Sequence, residues 1–335
     1  MKCLTLSFSV LGTTTTLLSQ IVFQFAVLLQ LTQEDWNNLL KNQETQIITY
    51  YIEISRKFTL AYLYCTLVIT SCYALTPIAT HVLDIKSPLN QTKPRKLFYP
   101  AEYLVNQEKY YYVLLLSEYV GYILCVLIGV TTDITYFLLL EYTCGMHAVL
   151  CHRLEILNEL YKLEWVDSNQ SDGSNGISYR VRRCIQLDKR IKVYIKEMES
   201  TFATNLLIDI AVGAVFYICT CIMIVIRARR LFEIFRLVAV AILYTSRFFL
   251  ISWTGQRVID HSSEIPTAVY DCVWYRMPVE IQKMLMLLIV RSQRPSRMIL
   301  AGIYIINLES FTSVMRTSVS YCTVMISLRP TMENI

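Results

Sequence analysis

The run "SVMRTSVSYCTVMISL", Ser313 to Leu328, is apolar enough to enter a bilayer and yet carries an arginine and a row of hydroxyls. Taken as a helix and read at steps of three or four, one face collects Glu309, Thr312 or Ser313, Arg316, Ser320, Thr323 or Val324, and Ser327. Phe311, Met315, Cys322 and Met325 lie mostly elsewhere. An arginine at the centre of a membrane helix costs roughly 2.5–3.5 kcal/mol, so it turns to water or to a partner. A water-filled pore along this face satisfies the guanidinium and the hydroxyls together. Two blander outcomes use the same residues: Arg316 snorkels to the interface, and the hydroxyls bond back to their own helix.

Catalysis has no comparable constellation. Gly-x-Gly-x-x-Gly, a P-loop, His-Glu-x-x-His and Gly-x-Ser-x-Gly are all missing. His147 and His152 stand five apart, which does not stack them on one helical face, and His81 and His261 add no metal spacing. The 11 cysteines include Cys65, Cys72, Cys125, Cys219, Cys221 and Cys322 within apolar stretches and form no C-x-x-C pair, so neither a disulfide framework nor a zinc site is indicated. The chain is not expected to be an enzyme, and no cofactor or metal is expected.

The elements that would hold the polar face are membrane helices. Hydrophobic residues make up 54% of the 335, against roughly 45–50% in soluble domains, and the mean hydropathy is +0.42. A hydrocarbon core of about 30 Å takes roughly 20 apolar residues as helix, because lipid offers backbone groups no other partner. Six stretches qualify: about 3–31, 58–83, 111–140, 202–226, 231–253 and 303–328. Neither a linker nor an internal repeat divides the chain, so residues 1–335 read as one all-α, polytopic transmembrane helical bundle. A seventh patch, "MLMLLIV" at Met284–Val290, is too short to span and reads as part of a helix packing in or beside the cytoplasm. The segments "HAVLCHRLEILNELYKLEW" and "YRVRRCIQLDKRIKVYIKEMES" have helical spacing around the turn-forming "DSNQSDGSNG", and predict helical extensions below the membrane.

Orientation follows from lysine and arginine. The loops at 32–57, 141–198 and 257–302 hold 18, and those at 84–110, 227–236 and 329–335 hold 10, so the first set is expected in the cytoplasm. The sequon at Asn90 then falls outside and is the candidate glycosylation site, whereas the one at Asn169 falls inside. The net charge of +5 reflects these loops; no nucleic acid is expected as a partner. Six spans with an outward C-terminus also place the N-terminus outside without a signal, so a preceding first helix of a seven-helix protein is expected to be missing.

Three C-terminal pieces, "VYDCVWYRMP" from Val269, "LLIVRSQRPSRMILAGIYIINLESF" from Leu287 and "TSVSYCTV" from Thr317, resemble the C-terminal signature of insect odorant receptors. "FYPAEYLVNQEKYYY" from Phe98, "TTD" at Thr131–Asp133 and "CGMHAVLCHRLEIL" from Cys144 resemble the second outer loop, fourth helix and following inner loop of the same family, in particular its hymenopteran members. The resemblance runs from "EDWNNLL" at Glu34 onward, and it too places the first apolar run at the family's second helix.

The resemblance implies an odorant-tuned subunit of a ligand-gated cation channel, multi-pass in the plasma membrane of olfactory sensory neurons. Its partners would be small volatile odorants, the lipid bilayer and a shared co-receptor in a heterotetramer. The helix at about 268–292 would be the cytoplasmic anchor where subunits meet. Within the final span, Arg316, Ser320, Val324 and Ser327 would belong to the pore, with Val324 at the family's hydrophobic gate and Ser327 near the mouth. The odorant pocket would lie among the outer halves of the helices, at Tyr73, Thr76, Tyr112, Leu116, Tyr119, Leu243 and Tyr244; tyrosine offers a large apolar face and one hydroxyl. Packing or interfacial roles remain open for these tyrosines. A gustatory-type receptor channel is the nearest alternative, although this chain ends with Ser320-Tyr321 and lacks that family's terminal glutamine. A metabotropic seven-helix receptor lacks its Asp-Arg-Tyr and Asn-Pro-x-x-Tyr motifs here, and a secondary transporter its inverted repeats.

Overall fold

Tyr111–Val166, here α2, is a single helix of 56 residues, which at 1.5 Å per residue runs about 84 Å, far beyond a hydrocarbon core of about 30 Å. The computed structural model describes residues 26–34, 43–75, 110–166, 173–227 and 231–332. Around α2 stand α1 (Gln43–Ala74), α3 (Gly173–Arg227), α4 (Leu231–Asp271), α5 (Val279–Ser292) and α6 (Leu308–Met332), with residues 26–34 also helical. Among the described residues the fold is all-α apart from one two-stranded hairpin, β1 (Ile299–Leu300) and β2 (Tyr304–Ile305). α2 packs on α1, α3 and α4; α3 and α4 pack on each other, and both touch α6.

The core lies in only one half of this bundle. On α2, Tyr136, Leu139, Leu140, Met146, Leu150 and Leu154 are almost fully buried; they belong to one cluster with Val181, Ile191, Met198 and Phe202 of α3 and Val258, Ile265 and Val269 of α4. Each such side chain contributes about 1.5–3 kcal/mol when withdrawn from water. The earlier part of α2 is the reverse: Leu116, Val120, Ile123, Leu124 and Leu127 are exposed, and its most apolar 18-residue window is only 11% buried. Apolar side chains turned outward at this density require an apolar solvent. Among the described residues, helices at Tyr111–Tyr161, Gly176–Thr220 and Leu237–Asp271 are long and apolar enough to cross a membrane. They contain most of three of the six expected stretches, and the helical extensions expected below the membrane are continuous parts of α2 and α3. The stretch at 3–31 is described only from residue 26, and 58–83 only to residue 75.

Two expected boundaries need correction. The anchor at about 268–292 is not one helix: α4 ends at Asp271, a 3-10 turn occupies Trp274–Arg276, and α5 begins after Pro278. Pro278 has no N–H to continue a helix and drives Met277 into an extended conformation, φ −74° and ψ 159°. The break is tied down by Asn158, whose Oδ1 accepts from Val273 N at 3.1 Å, and by Tyr161, whose hydroxyl donates to the Arg276 carbonyl at 2.6 Å. Similarly, the last helix starts at Leu308 rather than 303. Residues Ile299–Ile305 turn back through Ala301 and Gly302, both at positive φ, with Ile303 N bonded to Leu300 O. Asn307 then caps the helix, its Oδ1 accepting from Ser310 N at 2.7 Å.

The hairpin sets α6 against α4 through a close approach at Gly255. A Cβ there would lie 2.7 Å from Ile306 Cγ2 and still closer to the Ile306 carbonyl oxygen, a backbone atom with no rotamer to escape into. Gly255→Ala is therefore expected to destabilise the fold by about 1–3 kcal/mol through overpacking. A melting midpoint equal to that of the native protein would show that α4 is not held at this distance.

Candidate functional site

An arginine inside an apolar helix needs partners, and Arg247 of α4 makes three hydrogen bonds to two carboxylates. Its Nε lies 2.7 Å from Asp133 Oδ2 and its Nη2 2.8 Å from Asp133 Oδ1, a two-bond fork across to α2. The same Nη2 reaches Asp209 Oδ2 on α3 at 2.9 Å. Tyr62 of α1 donates its hydroxyl to Asp133 Oδ2 at 2.5 Å, so three helices meet at one carboxylate that is 1% exposed, and a fourth joins through Asp209 and Arg247. From Leu231, Arg247 lies about 24 Å along α4, within the stretch apolar enough to cross a membrane. Charges at such depth persist when paired, and they mark working sites more often than structural ones.

Asp209 opens this cluster onto a cleft. The cleft is half open and lies between α3, α4 and α6; about 500 Å³ of empty space falls within it when the open solvent at its mouth is included. Ile210, Gly213, Ala214 and Tyr217 form the α3 wall, Tyr244 and Phe248 face them from α4, and Val314, Met315 and Ser318 close it from α6. Gly213 makes the room: a Cβ in its place would already touch the Tyr244 ring at 3.6 Å. Cleft shape, aromatic lining and few polar groups are the ordinary form of a small-molecule site.

α6 has two different sides. Phe311 stacks against Phe248 and Phe249 at centroid separations of 5.1 and 5.6 Å, and Val314, Met315, Ser318 and Cys322 share its packed or half-buried side. Glu309, Thr312, Ser313, Arg316, Ser320, Thr323, Val324 and Ser327 are all exposed on the single chain. The hydroxyls nonetheless bond back to their own helix: Thr312 to Leu308 O, Thr323 to Ser320 O and Ser327 to Thr323 O, at 2.8–3.0 Å. Back-bonding and an exposed polar face thus coexist.

The expected ligand residues are not gathered in one place. Tyr244 lines the cleft, with half-buried Leu243 beside it on α4. Tyr119 donates its hydroxyl to the Ala74 carbonyl at 2.6 Å, at the α1–α2 contact. Tyr112 and Leu116 are exposed, at 69% and 66%. The side chain of Tyr73, and Thr76 and Asn90 altogether, lie outside what is described. Sequence reasoning missed Arg247 and Asp209 as site residues and took Asp133 only as part of a signature. Charges inside apolar runs were the available signal.

A second charged contact lies further along α2 and α4. Arg257 Nη1 lies 2.6 Å from Glu141 Oε1, with its guanidinium over the Trp253 ring at 5.2 Å. His147 is 1% exposed and bonded through Nδ1 to Thr143 O at 2.8 Å. Among the described residues, no group of three His, Cys, Asp or Glu is placed to hold a metal ion.

A family model described as 7tm Odorant receptor matches residues 23–319. The chain is similar to Odorant receptor 13a of Drosophila melanogaster, 21% identical over 323 residues that cover 92% of this chain and 73% of that protein. It is also similar to Odorant receptor 10 of Aedes albopictus, 26% identical over 160 residues, 48% of this chain and 42% of that one. Among solved structures, the insect olfactory receptor OR5 from Machilis hrabei matches with a TM-score of 0.68 at 13% identity, covering 91% of this chain and 76% of its own. A structure of that receptor in complex with eugenol matches with the same TM-score, covering 85% and 69%. At this identity the likeness speaks for the fold.

Proposed function

The chain belongs to the 7tm Odorant receptor family, and from that premise we propose that it is an odorant-tuned subunit that opens a cation-permeable pore, together with a co-receptor, when a small volatile molecule binds among its helices. The family is one of receptors, not of enzymes. In this reading residues 1–335 form one receptor-channel unit, multi-pass in the plasma membrane of olfactory sensory neurons, with spans at about 3–31, 58–83, 111–140, 202–226, 231–253 and within 303–328.

The observation that carries the reading is the division of α6. Its apolar side packs on α3 and α4, while Arg316, Ser320, Thr323 and Ser327 remain exposed on the single chain. Lipid cannot satisfy an arginine, so this face calls for water or another subunit. A pore at the axis of a tetramer supplies both. On α5, Met286, Leu287 and Val290 are exposed at 54%, 51% and 59%, an apolar face that fits an intersubunit contact.

A volatile of about 10 heavy atoms binding near 1 μM needs about 8 kcal/mol, well within about 1.5 kcal/mol per atom for small ligands. Burial against aromatic faces supplies this with few hydrogen bonds. The test is expression in oocytes, alone and with the co-receptor, under a broad odorant screen. Current is expected only from the pair; a robust odorant current from this chain alone would overturn the assembly. In the same assay, conservative changes at Tyr73, Tyr112, Leu116 and Tyr119 are expected to alter the odorant ranking. An unchanged ranking with all four altered would move the pocket elsewhere.

A further inference from the structure

We propose that the cleft between α3, α4 and α6 is a binding site for a small amphiphile bearing a protonated amine, read by the Asp209 carboxylate. The chain supplies two carboxylates, Asp133 and Asp209, to one guanidinium, Arg247. Asp133 takes both arms of the fork and is buried, so its charge is matched within the protein. Asp209 accepts a single bond from an arginine already engaged, and its side chain is 45% exposed. The cluster therefore carries one negative charge more than it cancels, and the surplus sits on the group that lines the cleft.

Arg247 also lines the cleft, with its Nη2 2.9 Å from Asp209, but its charge is already matched by Asp133; the rest of the lining suits the body of such a ligand. Tyr217, Tyr244 and Phe248 give the lining its aromatic part, and aromatic rings attract an ammonium as well as an alkyl chain. Ile210, Ala214, Val314 and Met315 are apolar. Gly213 leaves the ring of Tyr244 reachable from α3. A neutral alcohol of the same length would fill the same space but gain only a hydrogen bond to Asp209, whereas an ammonium pairs its charge with the carboxylate as well. Such an occupant touches α6 at Val314, Met315 and Ser318, on the side opposite Arg316 and Ser320. Occupancy would thereby bear on the helix that the channel reading places at the pore. The binding claim itself does not rest on that reading.

The experiment measures binding rather than current, so that it stands whether or not the chain gates a channel. The full chain, purified in lipid nanodiscs, is titrated with hexylamine and with hexan-1-ol at neutral pH, following the thermal unfolding midpoint. Hexylamine is expected to raise the midpoint at concentrations at least tenfold lower than hexan-1-ol. In Asp209→Asn that preference is expected to shrink to less than twofold. Gly213→Leu, which fills the cleft without touching a charge, is expected to weaken both ligands by tenfold or more. Equal potency of amine and alcohol on the native protein would overturn the proposal, as would an Asp209→Asn variant that keeps the preference. Weak binding of both ligands that Gly213→Leu leaves unchanged would assign the effect to the surrounding lipid.

Discussion

Arg247→Ala is expected to cost about 3–5 kcal/mol. That is on the order of a hundred- to several-thousandfold in the ratio of folded to unfolded protein. The reason is not the energy of the ion pair as such. With the guanidinium gone, Asp133 stays 1% exposed, its remaining partner the Tyr62 hydroxyl at 2.5 Å, and a carboxylate so enclosed has lost both its counter-charge and access to water. Arg247→Lys is expected to recover only part of the loss, because an ammonium cannot fork to both Asp133 oxygens while holding Asp209. Removing the pair together, as Asp133→Leu with Arg247→Met, is expected to restore much of the stability, since no buried charge is then stranded. Melting in detergent and surface labelling in cells measure all three. An Arg247→Ala protein that melts like the native one would mean that water reaches Asp133 and the cluster is not enclosed.

Substitution on the exposed side of α6 is expected to act on permeation instead. Val324 is 52% exposed and Ser327 lies three residues further on the same face. In the channel reading, a ring of valines closes the pore by dewetting, and polar groups beside it influence which ions pass. Val324→Glu and Ser327→Glu each place a carboxylate in that ring, and are expected to change relative cation permeability or block by divalent cations, with the odorant ranking preserved. Carrying the pore from 1:99 to 99:1 requires ligand binding to favour the open state by about 5.5 kcal/mol, so the ligand site must be coupled to α6. Recordings of the complex with its co-receptor decide the matter. Unaltered permeation in both variants, together with an altered odorant ranking, would assign this face of α6 to the ligand site and remove it from the pore.

Glycine and tyrosine show how differently two residue types reveal themselves. Tyrosine patterns are visible, so Tyr119 and Tyr244 could be nominated, but one reaches the Ala74 carbonyl on α1 and the other lines the cleft against α3. Nothing local separates these outcomes, because each depends on which helix lies opposite. Gly255 and Gly213 could not be nominated at all. Their use is the space that they leave for Ile306 and beside Tyr244, and space is a property of the partner.

What the amino-acid sequence determined by itself is the part of the fold governed by neighbours along the chain. Apolar runs about 20 residues long require helices in lipid. Charged, apolar-periodic stretches at 147–165 and 179–200 extend those helices, and steps of three and four on the last helix put Arg316, Ser320 and Ser327 on one side. Pro278 and Asn307, which break the anchor and start α6, were legible as well, as a missing donor and a capping side chain, although the expected boundaries passed over both. Only the tertiary structure decided which buried charges meet. Asp133 and Arg247 are 114 residues apart, and Asp209 joins them from a third helix. No periodicity links positions on different helices; their meeting is fixed by the packing of α2, α3 and α4 around the shared inner core, and so is the unequal division of one arginine between two carboxylates.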